Sequence, residues 1–241
     1  MKLKRYSMPK FWRIGRKTGF WVIRPIPGPH KKDKCIPLQI ILRDVLKYAE
    51  TAREAKRILK EKKVMVDGKV RTEPGHPVGL QDIVSIPDVK KHFRMGLNNL
   101  GLVLEEIKES ETGRKLCRIE GKRSIRGGLT QLSTHDGRNI VVKDGKAYKL
   151  LDSVLISIPE QKILKHFKCE AGVSVFVIAG NNTGVEGKLK EVNRRTNMLK
   201  KSTVTIQSKN RDVQTLLEYI MVGEVSGAGA AKPSPEKKVN K

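Results

Sequence analysis

Acidic residues are scarce in this chain. Asp and Glu number 25 against 50 Lys and Arg, leaving a formal charge of +25 over 241 residues. A field of that sign selects a polyanionic partner before any other. Cysteine is scarcer still: Cys35, Cys117 and Cys169 lie far apart and form no C-x-x-C. Neither a disulfide framework nor a four-thiolate zinc site is predicted, and a reducing compartment fits. No run approaches about 18 apolar residues, and no apolar stretch follows the opening Met-Lys-Leu-Lys-Arg-Tyr, which disfavours membrane spanning and secretion. His30, His76, His92, His135 and His166 show no metal spacing. His166 and Cys169 would supply two ligands where zinc needs three or four, so no metal and no cofactor is predicted. His135 beside Asp136 suggests a general base, yet Asp136-Gly137 is a turn signal and no nucleophile accompanies it, so the pair is read as structural.

What is present makes a folded chain. Apolar residues reach 38% and glycine adds 21 positions, close to ordinary globular usage. The length suits one large domain or two to three small ones. Residues 1–34 carry eleven Lys/Arg and one acid, Asp33, with five of the eleven aromatics: Tyr6, Phe11, Trp12, Phe20 and Trp21. Pro25, Pro27 and Pro29 with Gly28 forbid a helix and favour an extended path. Residues 1–36 therefore read as a basic, aromatic N-terminal arm with little of its own to pack against, ordering only on its target.

From Leu38 the positions Leu38, Ile41, Leu42, Val45, Leu46 and Ala49 recur at helical spacing, predicting an amphipathic helix. Thr51 with Glu54 three residues on forms a capping-box pattern, and Ala52, Ala55, Ile58 and Leu59 give a second apolar stripe. Val64-Met65-Val66-Asp67-Gly68-Lys69-Val70 sets Asp-Gly between alternating apolar positions, the signature of a hairpin with a primed turn. Asp82 to Pro87 reads as one more short strand. Arg53, Lys56, Arg57 and Lys60 share a helical face opposite the apolar stripe.

Residues 101–170 are β-rich, with strands predicted at Leu102–Leu104, Leu116–Ile119, Ile140–Val142 and Val154–Ile158 and turns at Asp136-Gly137 and Asp144-Gly145. Here 14 basic residues face 10 acidic ones, so this segment reads as scaffold. Val173–Ile178, Leu189–Val192 and Val204–Ile206, punctuated by Gly180, Gly184 and Gly187, suggest a small barrel over residues 171–225. Leu216 to Val222 is ambiguous between strand and helix. Residues 226–241 are rich in Gly, Ala, Pro, Ser and Lys without apolar period, the pattern of a disordered tail. The loop Gly180 to Lys188 fails as a Walker A motif, since Asn182 stands where glycine is needed and Leu189 follows Gly187-Lys188.

Two segments resemble known RNA-binding modules. The helix pair and Asp-Gly hairpin within residues 37–100 are similar to the RNA-binding domain named after small-subunit ribosomal protein number four. The strand, glycine loop and strand near Gly180–Lys188 resemble the KOW motif of SH3-like barrels. Trp21-Val22-Ile23-Arg24-Pro25-Ile26-Pro27-Gly28-Pro29-His30, Val78-Gly79-Leu80, His135-Asp136-Gly137-Arg138 and Asp152-Ser153-Val154 extend the likeness over nearly the whole chain. The chain thereby resembles the archaeal and eukaryotic type of the ribosomal-protein-four family, its length and short tail being closer to an archaeal member. The fold so implied is an α+β multi-module chain: basic arm, helix-pair and hairpin domain, β-rich centre and SH3-like KOW barrel.

The resemblance implies a structural, non-catalytic constituent of the small ribosomal subunit in the cytoplasm. Its partners would be ribosomal RNA and neighbouring ribosomal proteins, with no membrane and no small-molecule substrate. The RNA-binding residues predicted from charge and stacking chemistry are, in the arm, Lys2, Lys4, Arg5, Trp12, Arg13, Arg16, Lys17, Arg24, Lys31 and Lys32. In the helix pair they are Arg43, Arg53, Lys56, Arg57, Lys60 and Lys63; toward the C-terminus, Asn181, Asn182, Lys188, Arg194, Arg195, Lys200 and Lys201. Two other classes compete. An RNA-modifying enzyme such as a pseudouridine synthase carries the same small domain, but this chain has no Arg-Leu-Asp stretch. An anionic-membrane binder would need the apolar stripe that Leu38 to Ala49 uses as core.

Overall fold

The structure is a computed structural model; it describes residues 2–194, 201–208 and 211–223. The fold is predominantly β; among the described residues α-helix is confined to residues 38–60, with short 3-10 turns elsewhere. At the N-terminus β1 (Lys2–Lys4) pairs antiparallel with β2 (Trp21–Ile23), Leu3 facing Val22. β3 (Cys35–Pro37) leads into α1 (Leu38–Ile40), which continues as a wider π-type turn over Ile41–Val45.

The helix predicted from Leu38 to Ala49 is thus shorter than its apolar stripe. The Leu46 N–H donates to the Ile41 carbonyl and the Tyr48 N–H to that of Leu42, while Lys47 turns left-handed at φ 56°. That bend carries Ala49 into the core and leaves Val45 exposed. α2 (Ala52–Lys60) follows with the predicted capping box: the Glu54 N–H donates to Thr51 Oγ1, and the Glu54 carboxylate accepts from the backbone at Thr51.

β4 (Met65–Val66) and β5 (Lys69–Val70) form the predicted hairpin. Asp67 and Gly68 both have positive φ, 49° and 70°, as a type I′ turn requires. β6 (Pro77–Gly79) pairs back onto β3. β7 (Ile83–Ile86), β8 (Lys91–Asn98) and β9 (Gly101–Ile107) complete an antiparallel sheet of order β5-β4-β7-β8-β9. The boundary drawn between residues 100 and 101 falls inside the β8–β9 hairpin, whose register runs from His92 opposite Ile107 to Asn98 opposite Gly101.

A second antiparallel sheet has the order β12-β11-β10-β13-β14. Its strands are β10 (Arg114–Ser124), β11 (Thr130–Thr134), β12 (Asn139–Val142), β13 (Ser153–Ser157) and β14 (Ile163–Phe167). Asp136-Gly137 turns β11 into β12 as predicted, with Gly137 at φ 75°. The last sheet contains β15 (Ser174–Val177), β16 (Glu186–Asn193), β17 (Thr203–Gln207), β18 (Asp212–Leu216) and β19 (Ile220–Val222), in the order β18-β17-β16-β15-β19. The ambiguous stretch near Leu216 to Val222 is the end of β18, a single 3-10 turn and β19. The predicted tail, 226–241, lies outside the described residues.

One core joins the arm to the helices and the first sheet: Met8, Trp12 and Val22 pack with Ile40, Ile41, Leu59, Val84 and Met95. The prediction of an arm with nothing to pack against is corrected here. Scattered apolar residues without period find tertiary partners, each full burial stabilising by roughly 1.5–3 kcal/mol. The second and third sheets keep their own cores, around Ile119, Leu132 and Ile156 and around Val177, Val204 and Ile220. Leu116, Phe176 and Met221 seal the two together.

Candidate nucleic-acid interface

The basic face of α2 forms because the helix buries Ala55 and Leu59, which turns Arg53, Lys56, Arg57 and Lys60 outward; all four are exposed. Arg57 Nε is held 3.0 Å from Glu61 Oε1, and Lys63 Nζ bridges Glu61 and Asp88 at 2.9 and 3.7 Å. Arg53, Lys56 and Lys60 have no ion-pair partner among the described residues. Exposed pairs such as Arg57–Glu61 contribute little stability, so these side chains remain available to an external anion. Arg43 is half-buried and chelated by Asp44 through Nε and Nη2 at 3.1 and 2.8 Å.

On the arm, Lys2, Lys4, Arg13, Lys17, Arg24, Lys31 and Lys32 are exposed. Arg5 and Arg16 instead brace the loop between β1 and β2, donating to the carbonyls of Gly15 (2.6 Å) and Met8 (3.2 Å). Trp12 is corrected as a stacking residue: it is 1% exposed, and its Nε1–H donates to the Cys35 carbonyl at 2.8 Å. The large indole fills the core, and its polar edge finds a backbone acceptor there. The exposed rings of the arm are Tyr6, Phe20 and Trp21, at 66%, 86% and 54%.

The glycine loop between β15 and β16 is explained by packing. Gly180 and Gly184 have φ 90° and 80°, and a Cβ on Gly184 would lie 2.8 Å from the carbonyl carbon of Asn98. The loop therefore docks edge-on against the β8–β9 turn, where only glycine fits. Asn181 is exposed; Asn182 Oδ1 accepts from Arg211 Nη2 at 3.5 Å. Lys188, Arg194 and Lys201 are exposed, the last lying 4.0 Å from Glu218. Arg195 and Lys200 lie outside the described residues.

Sequence reasoning missed the group that holds these surfaces together. Lys115 is fully buried, its Nζ at 2.7 Å from Asp67, 2.5 Å from Asp82 and 2.9 Å from Asp136. Arg138 adds Nη2 to Asp67 at 2.6 Å and Nε to Asp136 at 2.9 Å. His30 of the arm brings Nε2 to 2.9 Å from Asp82. The carboxylates are further satisfied by the N–H groups of Gly79 and Ile83 and by the Thr134 hydroxyl. Burial disfavours the Lys115 charge, yet Asp82 and Asp67 more than offset this and hold its pKa above the usual lysine range. Asp82 and Asp136 are held well below the usual carboxylate range by Lys115, against burial. Asp67 is pushed up, by burial and then by Asp82. One signal was available: Lys115, Cys117 and Ile119 share the strand face that is fully buried.

Cys117, His135 and Asp136 bring three metal-type ligand atoms within 4.8 Å of one another. These groups are already partnered, the Cys117 thiol donating to Asp136 at 3.7 Å. Lys115 supplies the cation beside Asp136, burial pushes the Cys117 thiol far up, and His135 Nδ1 accepts from the Arg118 N–H at 3.2 Å. These three residues read as one edge of the ionic cluster. Arg118 ties the second sheet to the third: Nη1 donates to the carbonyls of Glu218 (2.7 Å) and Ile220 (3.1 Å). No helix among the described residues is long and apolar enough to cross a membrane.

Comparison with known proteins covers most of the chain. Residues 1–33 match the RS4NT (NUC023) domain, residues 36–84 the S4 domain and residues 89–163 the Ribosomal family S4e. Among curated relatives, the small ribosomal subunit protein eS4 of Methanococcus vannielii is 40% identical over 91% of this chain and 92% of its own length. The protein of the same name from Ignicoccus hospitalis is 38% identical over 96% of this chain and 92% of its own. A crystal structure of the 30S ribosomal protein S4e from Thermoplasma acidophilum aligns with TM-score 0.69 at 29% identity, covering 79% of this chain and 95% of that one.

Proposed function

Because the chain belongs to the ribosomal S4e family, we propose that it is a structural, non-catalytic constituent of the small ribosomal subunit in the cytoplasm, binding ribosomal RNA through several basic modules. The observation that carries this reading is the cationic face of α2, where Arg53, Lys56 and Lys60 stand exposed and unpaired among the described residues, on a capped helix inside the S4 domain match.

Mechanistically, each Lys or Arg that meets a phosphate releases condensed counterions, while the rigid surface selects RNA shape. The arm adds Lys2, Lys4, Arg13, Lys17, Arg24, Lys31 and Lys32, and the exposed rings of Phe20 and Trp21 suit stacking on unpaired bases. The C-terminal sheet, read as a KOW-type SH3-like module, adds Lys188, Arg194 and Lys201 with Asn181 at the loop tip. Linked surfaces reinforce one another only if they reach their sites together. The Lys115 cluster serves that end by fixing the arm through His30, the S4 domain through Asp67 and Asp82, and the second sheet through Asp136 and Arg138. Neighbouring ribosomal proteins would complete its surroundings.

Crosslinking the full chain to total cellular RNA, followed by sequencing, tests the proposal. Dominance of small-subunit ribosomal RNA is the expected result. Dominance of transfer RNA, or no enrichment, would contradict it.

A further inference from the structure

A cavity of about 480 Å³ opens where the arm, the β8–β9 turn, the second sheet and the glycine loop of the third sheet meet. Its chemistry is graded. Phe11, Leu97 and Leu100 line it with apolar surface; Leu100, 71% exposed, stands at the rim. Gly101, at φ 120°, abuts Phe11 and fixes that wall. Arg118 and Glu120 also line it. Arg118 is 5% exposed and its Nε–H has no hydrogen-bond partner among the described residues, an omission that costs free energy unless a ligand supplies an acceptor. Glu120 gives one oxygen to Arg118 Nη2 at 2.7 Å and keeps the other free among the described residues. Lys31, Asp33 and Lys34 of the arm line it as well, all three exposed.

We propose that this cavity receives one unpaired nucleotide of ribosomal RNA, its base inside and its phosphate at Lys31 and Lys34. The proposal rests on the RNA-binding reading above. A base edge presents a donor beside an acceptor, matching the free Glu120 oxygen and the orphaned Arg118 N–H. Its flat faces suit the apolar lining, since sequence-selective RNA recognition takes splayed bases rather than duplex. The Glu120 carboxylate repels phosphate from the inner part of the cavity, while Lys31 and Lys34, two cations against the single Asp33 beside them, attract it, which sets the direction of entry. A segment of a neighbouring protein could use the apolar wall, but the eleven basic residues of the arm against one acid favour a polyanion.

The test uses the full chain reconstituted into small subunits, with p-benzoylphenylalanine in place of Leu100, of Lys60 on α2, or of Leu164, which is 53% exposed on β14. The probe at 100 should crosslink to one discrete single-stranded nucleotide, well above the probe at 164. Adding Glu120→Gln, which keeps an acceptor for Arg118, should lower that yield roughly tenfold while the chain stays bound, in keeping with the loss of one hydrogen bond to a charged acceptor. Crosslinking from 100 to a neighbouring protein, or none above the level at 164, overturns the proposal if the probe at 60 still reaches RNA. Should the probe at 60 also fail to reach RNA in subunits that contain the chain, the RNA-binding reading falls with it.

Discussion

Lys115 Nζ lies 2.5 Å from Asp82 Oδ1, joining the second sheet to the first with no part of the lysine side chain exposed. The same ammonium meets Asp67 and Asp136, so one cation answers three carboxylates with help from Arg138. Breaking a buried ion pair from one side leaves uncompensated charge. Lys115→Met should therefore lower unfolding stability by about 3–5 kcal/mol, measured by urea denaturation. A loss under about 1 kcal/mol would show that the cluster is not a stability element.

Acid should loosen the same junction. His135 is pushed down to about 4 by burial and then by Lys115, and His76 to about 4 by burial and then by Arg71, from a usual 6.5. Each binds fewer protons folded than unfolded, so its contribution is full above about pH 6.5 and is lost as pH falls toward 4. Asp82 and Asp136, held low, act in the same direction at still lower pH; Asp67, pushed up, acts oppositely. Urea midpoints at pH 7, 5.5 and 4 should fall steadily, and His135→Gln should flatten the slope. An unchanged slope in that variant would remove His135 from the account.

The two tryptophans should separate stability from binding. Trp12→Ala should cost about 3–5 kcal/mol, as large core truncations do. Trp21→Ala and Phe20→Ala should alter stability by no more than about 0.5 kcal/mol yet weaken RNA binding. Thermal denaturation beside filter binding checks both halves, and a stability-neutral Trp12→Ala would contradict the buried placement.

Local features of the fold were legible in the sequence, and long-range ones were not. The Thr51–Glu54 capping box, the Asp67-Gly68 turn and the basic face of α2 each depend on residues within a few positions of one another. Strands β7, β12, β13 and β15 announced themselves by β-branched runs, and β10 by the apolar positions between Leu116 and Ile119. β14 and β11 did not, because Lys165 and His166, and Gln131 and Ser133, dilute the apolar signal. Trp12 gives no local cue to its burial, since its acceptor is Cys35, 23 residues away. The ionic cluster draws on His30, Asp67, Asp82, Lys115, Asp136 and Arg138, so no window of sequence contains it. Asp67 was legible as a turn residue, while its carboxylate's second task was not.

Gly184 offers a sharper check on what the glycine loop is for. At φ 80° and against the Asn98–Asn99 backbone, Gly184→Ala should destabilise the chain by at least about 1–2 kcal/mol. RNA affinity per folded molecule should be unchanged. A loss of affinity at full stability would mean that the loop backbone meets phosphate directly.

The central claim is that exposed cations, led by those of α2, carry the binding to small-subunit ribosomal RNA. Its most direct test is the salt dependence of that binding for the wild type and for Arg53→Ala/Lys56→Ala/Lys60→Ala. The wild-type log K should fall linearly with log salt, and the triple variant should show a slope smaller by about 2–3, roughly one for each phosphate left without its cation. Equal slopes and equal affinities in a folded variant would contradict the account.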